Sequence, residues 1–199
     1  MNKSFCPLGD HLQHYWNRLN PIEKKMQLDE EALYSLTPQI IAKEITELIE
    51  GNIVVDAFCG AGGLTIATAL YGKEVIAIDL DAKRLEMAKY NAKLFNCHKS
   101  IKFIQGDYLA LIKEISCDSI ILDPPWGGVD YNRVDEFKLK HFNPNGKMII
   151  DLALKYADTV VMRLPKNFDF YEIQPYNCLH LQENIFNDRL LHYCVKLQK

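Results

Sequence analysis

The sequence contains no Cys-x-x-Cys pair: its six cysteines (Cys6, Cys59, Cys97, Cys117, Cys178 and Cys194) are scattered along 199 residues. Such spacing suggests neither a zinc site nor the disulfide framework of a small secreted domain, and reduced thiols in a cytosolic or nuclear compartment are expected. A basic excess is missing as well. The formal net charge of -3 argues against a protein that binds nucleic acid through bulk electrostatics, so any nucleic-acid contact has to be local. Nothing approaches the roughly eighteen consecutive apolar residues of a membrane span, and Met1 to Asp10 lacks a basic region followed by an apolar one. A soluble, non-secreted protein is therefore expected. No basic cluster is long enough for a nuclear-import signal. The histidines His11, His14, His98, His141, His180 and His192 show no ligand spacing, and no repeat or low-complexity tract appears. What remains, with 48% hydrophobic and 25% charged residues, is the composition of one globular domain.

The pattern of that domain alternates. Thr37 and Pro38, as N-cap and first helical residue, open a predicted helix from Gln39 to Glu50, which Gly51 stops. Short β-branched runs then exchange with helical patterns: Ile53 to Asp56, a helix from about Gly63 to Tyr71, Glu74 to Asp79, a helix from Asp81 to Phe95, and Ile101 to Gln105. Next come a strand Ser119 to Asp123, a helix around Met148 to Ala157, and a strand Thr159 to Leu164. Strand and helix in alternation predict a parallel sheet with right-handed crossovers. Cys178 to Phe186 and Leu190 to Lys199 read instead as an antiparallel hairpin turning at Asn187-Asp188. Residues 1–35 carry weak periodicity and are expected to form an arm laid on a catalytic domain of residues 36–199.

Asp56 ends the first strand, and Phe58, Gly60, Gly62 and Gly63 lie in the turn that follows. Glycines there let the backbone approach a ligand closely and turn into the next helix. The spacing differs from the dinucleotide fingerprint Gly-x-Gly-x-x-Gly, which sets a helix N-terminus against a pyrophosphate. An acid four residues before the first glycine would repel phosphate. It suits a cofactor bearing an amine and a sulfonium, as S-adenosylmethionine does. Asp79 ends the next strand about twenty residues on, where a carboxylate can accept ribose hydroxyls, and Asp107 after the third strand is placed to meet the adenine amine. Each acid alone would be a solvated strand end or a helix cap, the reading preferred for Asp81. In register at three consecutive strand ends, Asp56, Asp79 and Asp107 indicate a cofactor edge.

Asp123-Pro124-Pro125-Trp126 follows the fourth strand. An exocyclic ring amine is a poor nucleophile because its lone pair is delocalised, so acceptors must draw on its hydrogens and hold it in line with the methyl donor. The Asp123 side chain and the Pro124 carbonyl can do this. Two prolines stiffen the turn and remove a competing donor, and Trp126 offers a face on which a base can stack. In isolation the tetrapeptide would be a turn with a buried Trp. After a glycine loop and two placed acids it matches the Asp/Asn/Ser-Pro-Pro-aromatic signature of amino-methyltransferases. No metal and no covalent nucleophile is required.

The segments Val55 to Gly63, Val75 to Asp79, and Pro124-Pro125-Trp126-Gly127-Gly128 with Asp130-Tyr131 closely resemble the trimethylguanosine synthase family, the cap-hypermethylating enzymes of small nuclear and nucleolar RNAs. Ser35, Thr37 and Pro38, and Leu164-Pro165-Lys166-Asn167, resemble it too. The resemblance implies a class I S-adenosylmethionine-dependent methyltransferase fold: α/β, Rossmann-like, with a mostly parallel seven-stranded sheet and a C-terminal antiparallel hairpin. It implies that Thr37 and the glycine loop contact the cofactor, that Asp79 holds its ribose, and that Trp126 stacks on 7-methylguanine. Lys166 and Asn167 would meet the cap phosphates. Tyr15, Trp16 and Arg18 in the arm would close over the substrate, and Tyr131 either lines the base pocket or packs the turn. The expected partner is 7-methylguanosine-capped RNA, the expected location the nucleus, and the expected state a monomer.

Two departures stand out. Asp123 occupies a position where many family members have Ser, so it is assigned to orientation, with the proton lost after transfer. Lys166 stands for the family's usual Arg and keeps a point charge while losing bidentate phosphate recognition. The family's long N-terminal extension has no counterpart here, so recruitment to RNAs is expected to differ. Three alternatives remain: an N2-guanine or N6-adenine methyltransferase of ribosomal RNA or other nucleic acid, an inactive cap-binding module, and a nicotinamide oxidoreductase, which the glycine spacing and Asp56 disfavour. Lys24, Lys25, Lys138 and Lys140 read as solvated surface.

Overall fold

Val54 and Val55, Ile120 and Ile121, and Val160 and Val161 are adjacent pairs on three neighbouring strands, and each pair divides between two apolar cores. Val55, Ile120 and Val160 belong to one, Val54, Ile121 and Val161 to the other. Successive strand side chains point to opposite faces, so a strand apolar at every position must be covered on both. The computed structural model describes residues 22–127 and 134–199. In chain order its principal elements are α1 (Glu30–Ser35), α2 (Gln39–Thr46), β1 (Ile53–Asp56), α3 (Gly63–Leu70), β2 (Glu74–Asp79), α4 (Ala82–Leu94), β3 (Ile101–Gln105), α5 (Tyr108–Leu111), β4 (Ser119–Leu122), α6 (Gly146–Tyr156), β5 (Thr159–Pro165), β6 (Asn177–Phe186) and β7 (Arg189–Gln198).

Among the described residues the strands form one seven-stranded sheet in the order β3-β2-β1-β4-β5-β7-β6. The first five are parallel, and β7 pairs antiparallel with both β5 and β6. Ile149, Ile150 and Ala153 of α6 pack on one face, Ile41, Ala42 and Ile45 of α2 on the other. Burying an aliphatic side chain of this size contributes roughly 1.5 to 3 kcal/mol. The β6–β7 turn uses Asn187 (φ 50°) and Asp188 (φ 59°). Positive φ at both central residues is the requirement of a two-residue hairpin whose twist matches its strands. The sheet and the hairpin are thus as the sequence predicts.

Helix α2 departs from its prediction at both ends. Pro38, rather than Thr37, occupies the cap position, and no side chain caps the helix. The helix also stops at Thr46 instead of Glu50. Beyond it the amides of Leu48 and Ile49 donate to the carbonyls of Ile45 and Thr46, tighter three-residue turns that carry Ile49 into the same core. Apolar spacing therefore persists after α-helical bonding has ended.

Residues 22–35 lie against the domain through Asn91 of α4. Its side chain accepts the Gln27 amide at 2.8 Å and donates to the carbonyls of Gln27 at 3.0 Å and Ala61 at 2.9 Å. Arg84 of the same helix pairs with Glu31 at 2.5 Å. Short α1, capped by Asp29, was not evident in the sequence.

Candidate active site

Strand order reverses between β1 and β4, and ligands of open α/β sheets bind at the carboxyl ends of the strands beside such a point. A cavity of about 710 Å³ opens there, within the range that holds a nucleoside-sized molecule. Of the residues singled out in the sequence, Thr37, Asp56, Phe58, Gly60, Asp79, Asp107, Asp123, Pro124, Trp126 and Lys166 line it. Tyr15, Trp16, Arg18 and Tyr131 lie outside the described residues.

Asp56 is buried at the end of β1. Its Oδ2 accepts the Thr65 hydroxyl at 2.5 Å, the Phe58 backbone amide also favours its charged form, and Oδ1 is buried without a well-formed hydrogen bond from any described residue. Removal from water pushes this carboxyl up to about 7; the Thr65 hydroxyl opposes the shift and the nearby Asp123 charge adds to it. Thr37 Oγ1 is a second buried polar atom on the same cavity without a partner among the described residues. A buried carboxylate oxygen and a buried hydroxyl left unpaired beside one cavity are costly unless a ligand supplies a donor or positive charge to the first and a polar partner to the second.

The glycine loop is tied to β2. Asp79 Oδ2 accepts the Gly60 amide at 2.7 Å, and Oδ1 accepts the Asp81 amide at 2.8 Å. Each carboxylate oxygen has a second lone pair, so both can still accept from a ligand. Gly60 (φ 51°) has open space where a Cβ would stand, which leaves the backbone bare toward the cavity. Gly62 does different work from that expected. It does not line the cavity; its φ of 92° turns the chain into α3, and a Cβ there would lie 3.2 Å from the Cβ of Ala88. Asp107 caps α5 through the Leu109 amide at 2.9 Å while also lining the cavity, and Asp81 caps α4 through the Lys83 amide at 2.8 Å.

At the acceptor end, Asp123 Oδ2 pairs with Arg163 Nη1 in a short ion pair. Burial pushes the Asp123 carboxyl up, and the Arg163 guanidinium works against that rise. The same guanidinium lies 5.2 Å from the Trp126 ring centroid and reaches the Ser35 carbonyl at 3.5 Å. The His192 ring stands 6.3 Å from Trp126, tilted by 59°. Desolvation, with Arg163 adding to it, holds this imidazole well below its ordinary value, so it is neutral. Its Nε2 is buried without a partner among the described residues.

Arg163 and His192 were not singled out in the sequence. Arg163 sits inside the apolar run Thr159–Pro165, and an arginine in a buried strand is rarely tolerated without an acid to pair with. That was the available signal. His192 had none, because only the β5–β7 register places it opposite Pro165. Asn167 is not among the cavity-lining residues: its Nδ2 donates to the Val134 carbonyl at 2.6 Å. Exposed Lys166 and Arg189 stand at the cavity wall and supply positive charge there.

A family model described as RNA cap guanine-N2 methyltransferase matches residues 51–192. The trimethylguanosine synthase of Schizosaccharomyces pombe is 31% identical over 196 residues, which cover 91% of this chain and 82% of that protein. Among solved structures, a putative methyltransferase from Porphyromonas gingivalis W83 superposes with a TM-score of 0.72 at 19% identity, covering 94% of this chain and 47% of the other. An RNA methyltransferase from Salinibacter ruber in complex with S-adenosyl-L-homocysteine gives 0.55 at 17% identity, covering 81% and 92%. The structural likenesses establish the fold; the family model and the yeast relative establish the kinship.

Proposed function

Because the chain belongs to the RNA cap guanine-N2 methyltransferase family, we propose that it methylates the exocyclic N2 amine of 7-methylguanosine in RNA caps. The product is 2,7-dimethylguanosine, which a second round would convert to 2,2,7-trimethylguanosine. One observation carries this reading: the cavity that holds the acids of β1 and β2 is continuous with Asp123, Pro124 and Trp126.

The residues present fit S-adenosylmethionine, since the buried Oδ1 of Asp56 and Oγ1 of Thr37 lack partners among the described residues and belong to residues that line the cavity, where a ligand with an amine and a sulfonium would meet them. Thr37, Asp56, the loop at Phe58 and Gly60, Asp79 and Asp107 would hold it. Bound there, S-adenosylmethionine would supply a sulfonium methyl for a nitrogen lone pair, with the neutral thioether as the leaving group. Asp123 and the Pro124 carbonyl orient the amine by accepting its hydrogens, and hydrogen bonds to an anionic acceptor are the stronger kind. No base has to act before transfer, because the methylated nitrogen is acidic and gives its extra proton to water.

Trp126 supports selection for the 7-methylated base. Such a base is cationic, and a cation over an indole face gains roughly 0.5 to 2 kcal/mol. Arg163 already stands near that ring, but its charge is balanced by Asp123. Lys166 is suited to a cap phosphate as a point charge. The resemblance extends the proposal to small nuclear and nucleolar RNAs as the capped partners and to the nucleus as the place of action.

The test is methyl transfer from labelled S-adenosylmethionine to 7-methyl-GTP, with GTP in parallel and chromatography of the products. Transfer to 7-methyl-GTP alone is expected. Transfer to neither would move the substrate to longer RNA or to the alternative nucleic-acid methyltransferases.

A further inference from the structure

Arg163 links three parts of the acceptor end that belong to different elements. It is 7% exposed on β5. From there its guanidinium pairs with Asp123, after β4, lies 5.2 Å from the Trp126 ring, and meets the Ser35 carbonyl at the end of α1. Only Oδ2 of Asp123 is engaged; its Oδ1 accepts no hydrogen bond from any described residue, and Asp123 lines the cavity.

A carboxylate with both oxygens free turns about its own bond and points poorly. Held through Oδ2 by a charge-assisted bond from Nη1 of a guanidinium that itself lies buried against Trp126, it presents the other oxygen in a narrower range of directions. The neighbourhood also makes the anion hard to keep without help. Asp123 is withdrawn from water, which raises its carboxyl. On β7, His192 is neutral and buried Cys194 holds its proton, so neither supplies compensating charge.

We infer that Arg163 is the positioning residue of the acceptor site: it holds Asp123 by Oδ2 so that Oδ1 is left for the substrate's exocyclic amine, and it braces Trp126 so that the base takes the ring surface Arg163 leaves open. The inference rests on the amine-methyltransferase reading. It adds that this chain's carboxylate, at a position where a hydroxyl side chain also serves in the resembling family, works only together with its arginine.

A mutant cycle on the full chain tests it, with 7-methyl-GTP as acceptor. Arg163→Gln is expected to lower kcat at least thirtyfold, with the Kd for S-adenosylmethionine within threefold of the parent. Arg163→Lys, which keeps the charge and loses the planar group beside Trp126, should restore part of that loss. In an Asp123→Ser background the same Arg163→Gln change should cost less than threefold, since no carboxylate is left to aim. Should Arg163→Gln prove unstable, the comparison of Arg163→Lys in the two backgrounds takes its place, with a loss expected only when Asp123 is present. An equal loss in both backgrounds overturns the inference, as does a loss expressed only in cofactor Kd. A parent protein that transfers nothing to 7-methyl-GTP defeats the functional reading itself, and the inference with it.

Discussion

The Asp79 carboxylate accepts the Gly60 amide at 2.7 Å, so the acid at the end of β2 fixes the glycine loop after β1 as well as facing the cavity. Replacing Asp79 therefore has two effects. Asp79→Ala is expected to weaken S-adenosylmethionine binding by about tenfold or more, since hydrogen bonds to a charged group contribute roughly 1.5 to 3 kcal/mol. Isothermal titration calorimetry measures it; unchanged affinity would remove Asp79 from the cofactor site.

Asp56 gives the cofactor site a pH dependence. Its carboxyl is raised to about 7, so it is charged above that pH and protonated below it. Affinity for a cationic cofactor should fall as pH drops through 7, approaching tenfold per unit well below, and Asp56→Asn should flatten the profile. For the empty protein the sign is opposite. The unfolded carboxyl, near 3.8, releases a proton that the folded one retains up to about 7, so this group makes the fold less stable as pH rises across that window. Titrations between pH 6 and 8 decide the first point, thermal melts of the empty protein the second.

Trp126→Ala should abolish methyl transfer while the Kd for S-adenosylmethionine stays within a few fold. Trp126→Phe, which keeps a weaker ring face, should retain part of the activity. Loss of cofactor binding in either variant would sink the stacking role. Steady-state kinetics beside equilibrium binding separates the two.

Gly62→Ala is expected to act through the fold alone. The left-handed φ of 92° and the 3.2 Å approach to Ala88 together should cost about 1 to 3 kcal/mol. At roughly 2 to 4 °C per kcal/mol for a chain of this size, the melting temperature should fall by several degrees. A melt within one degree of the parent would contradict the packing role.

Much of the candidate site was legible because it consists of strand ends. Asp56, Asp79 and Asp123 each terminate a recognisable apolar run, and a parallel sheet brings such ends to one edge. Thr37 was legible as a residue but misread as a cap, because Thr before Pro at a helix start carries the same local pattern whether its hydroxyl turns to the backbone or to a cavity. Gly62 was read as loop lining when its constraint comes from α4, an element distant in sequence.

The sequence by itself determined the alternation of strands and helices, the hairpin at Asn187-Asp188, and the residue types at the carboxyl edge, since these follow from local periodicity and turn chemistry. Tertiary structure alone decided which charges meet. Arg163 is forty residues from Asp123 along the chain and in contact with it across β4 and β5, and His192 reaches Trp126 only through the antiparallel pairing of β7. Sheet order and register create those neighbours, and they are set by the packing of the whole domain rather than by any segment of it.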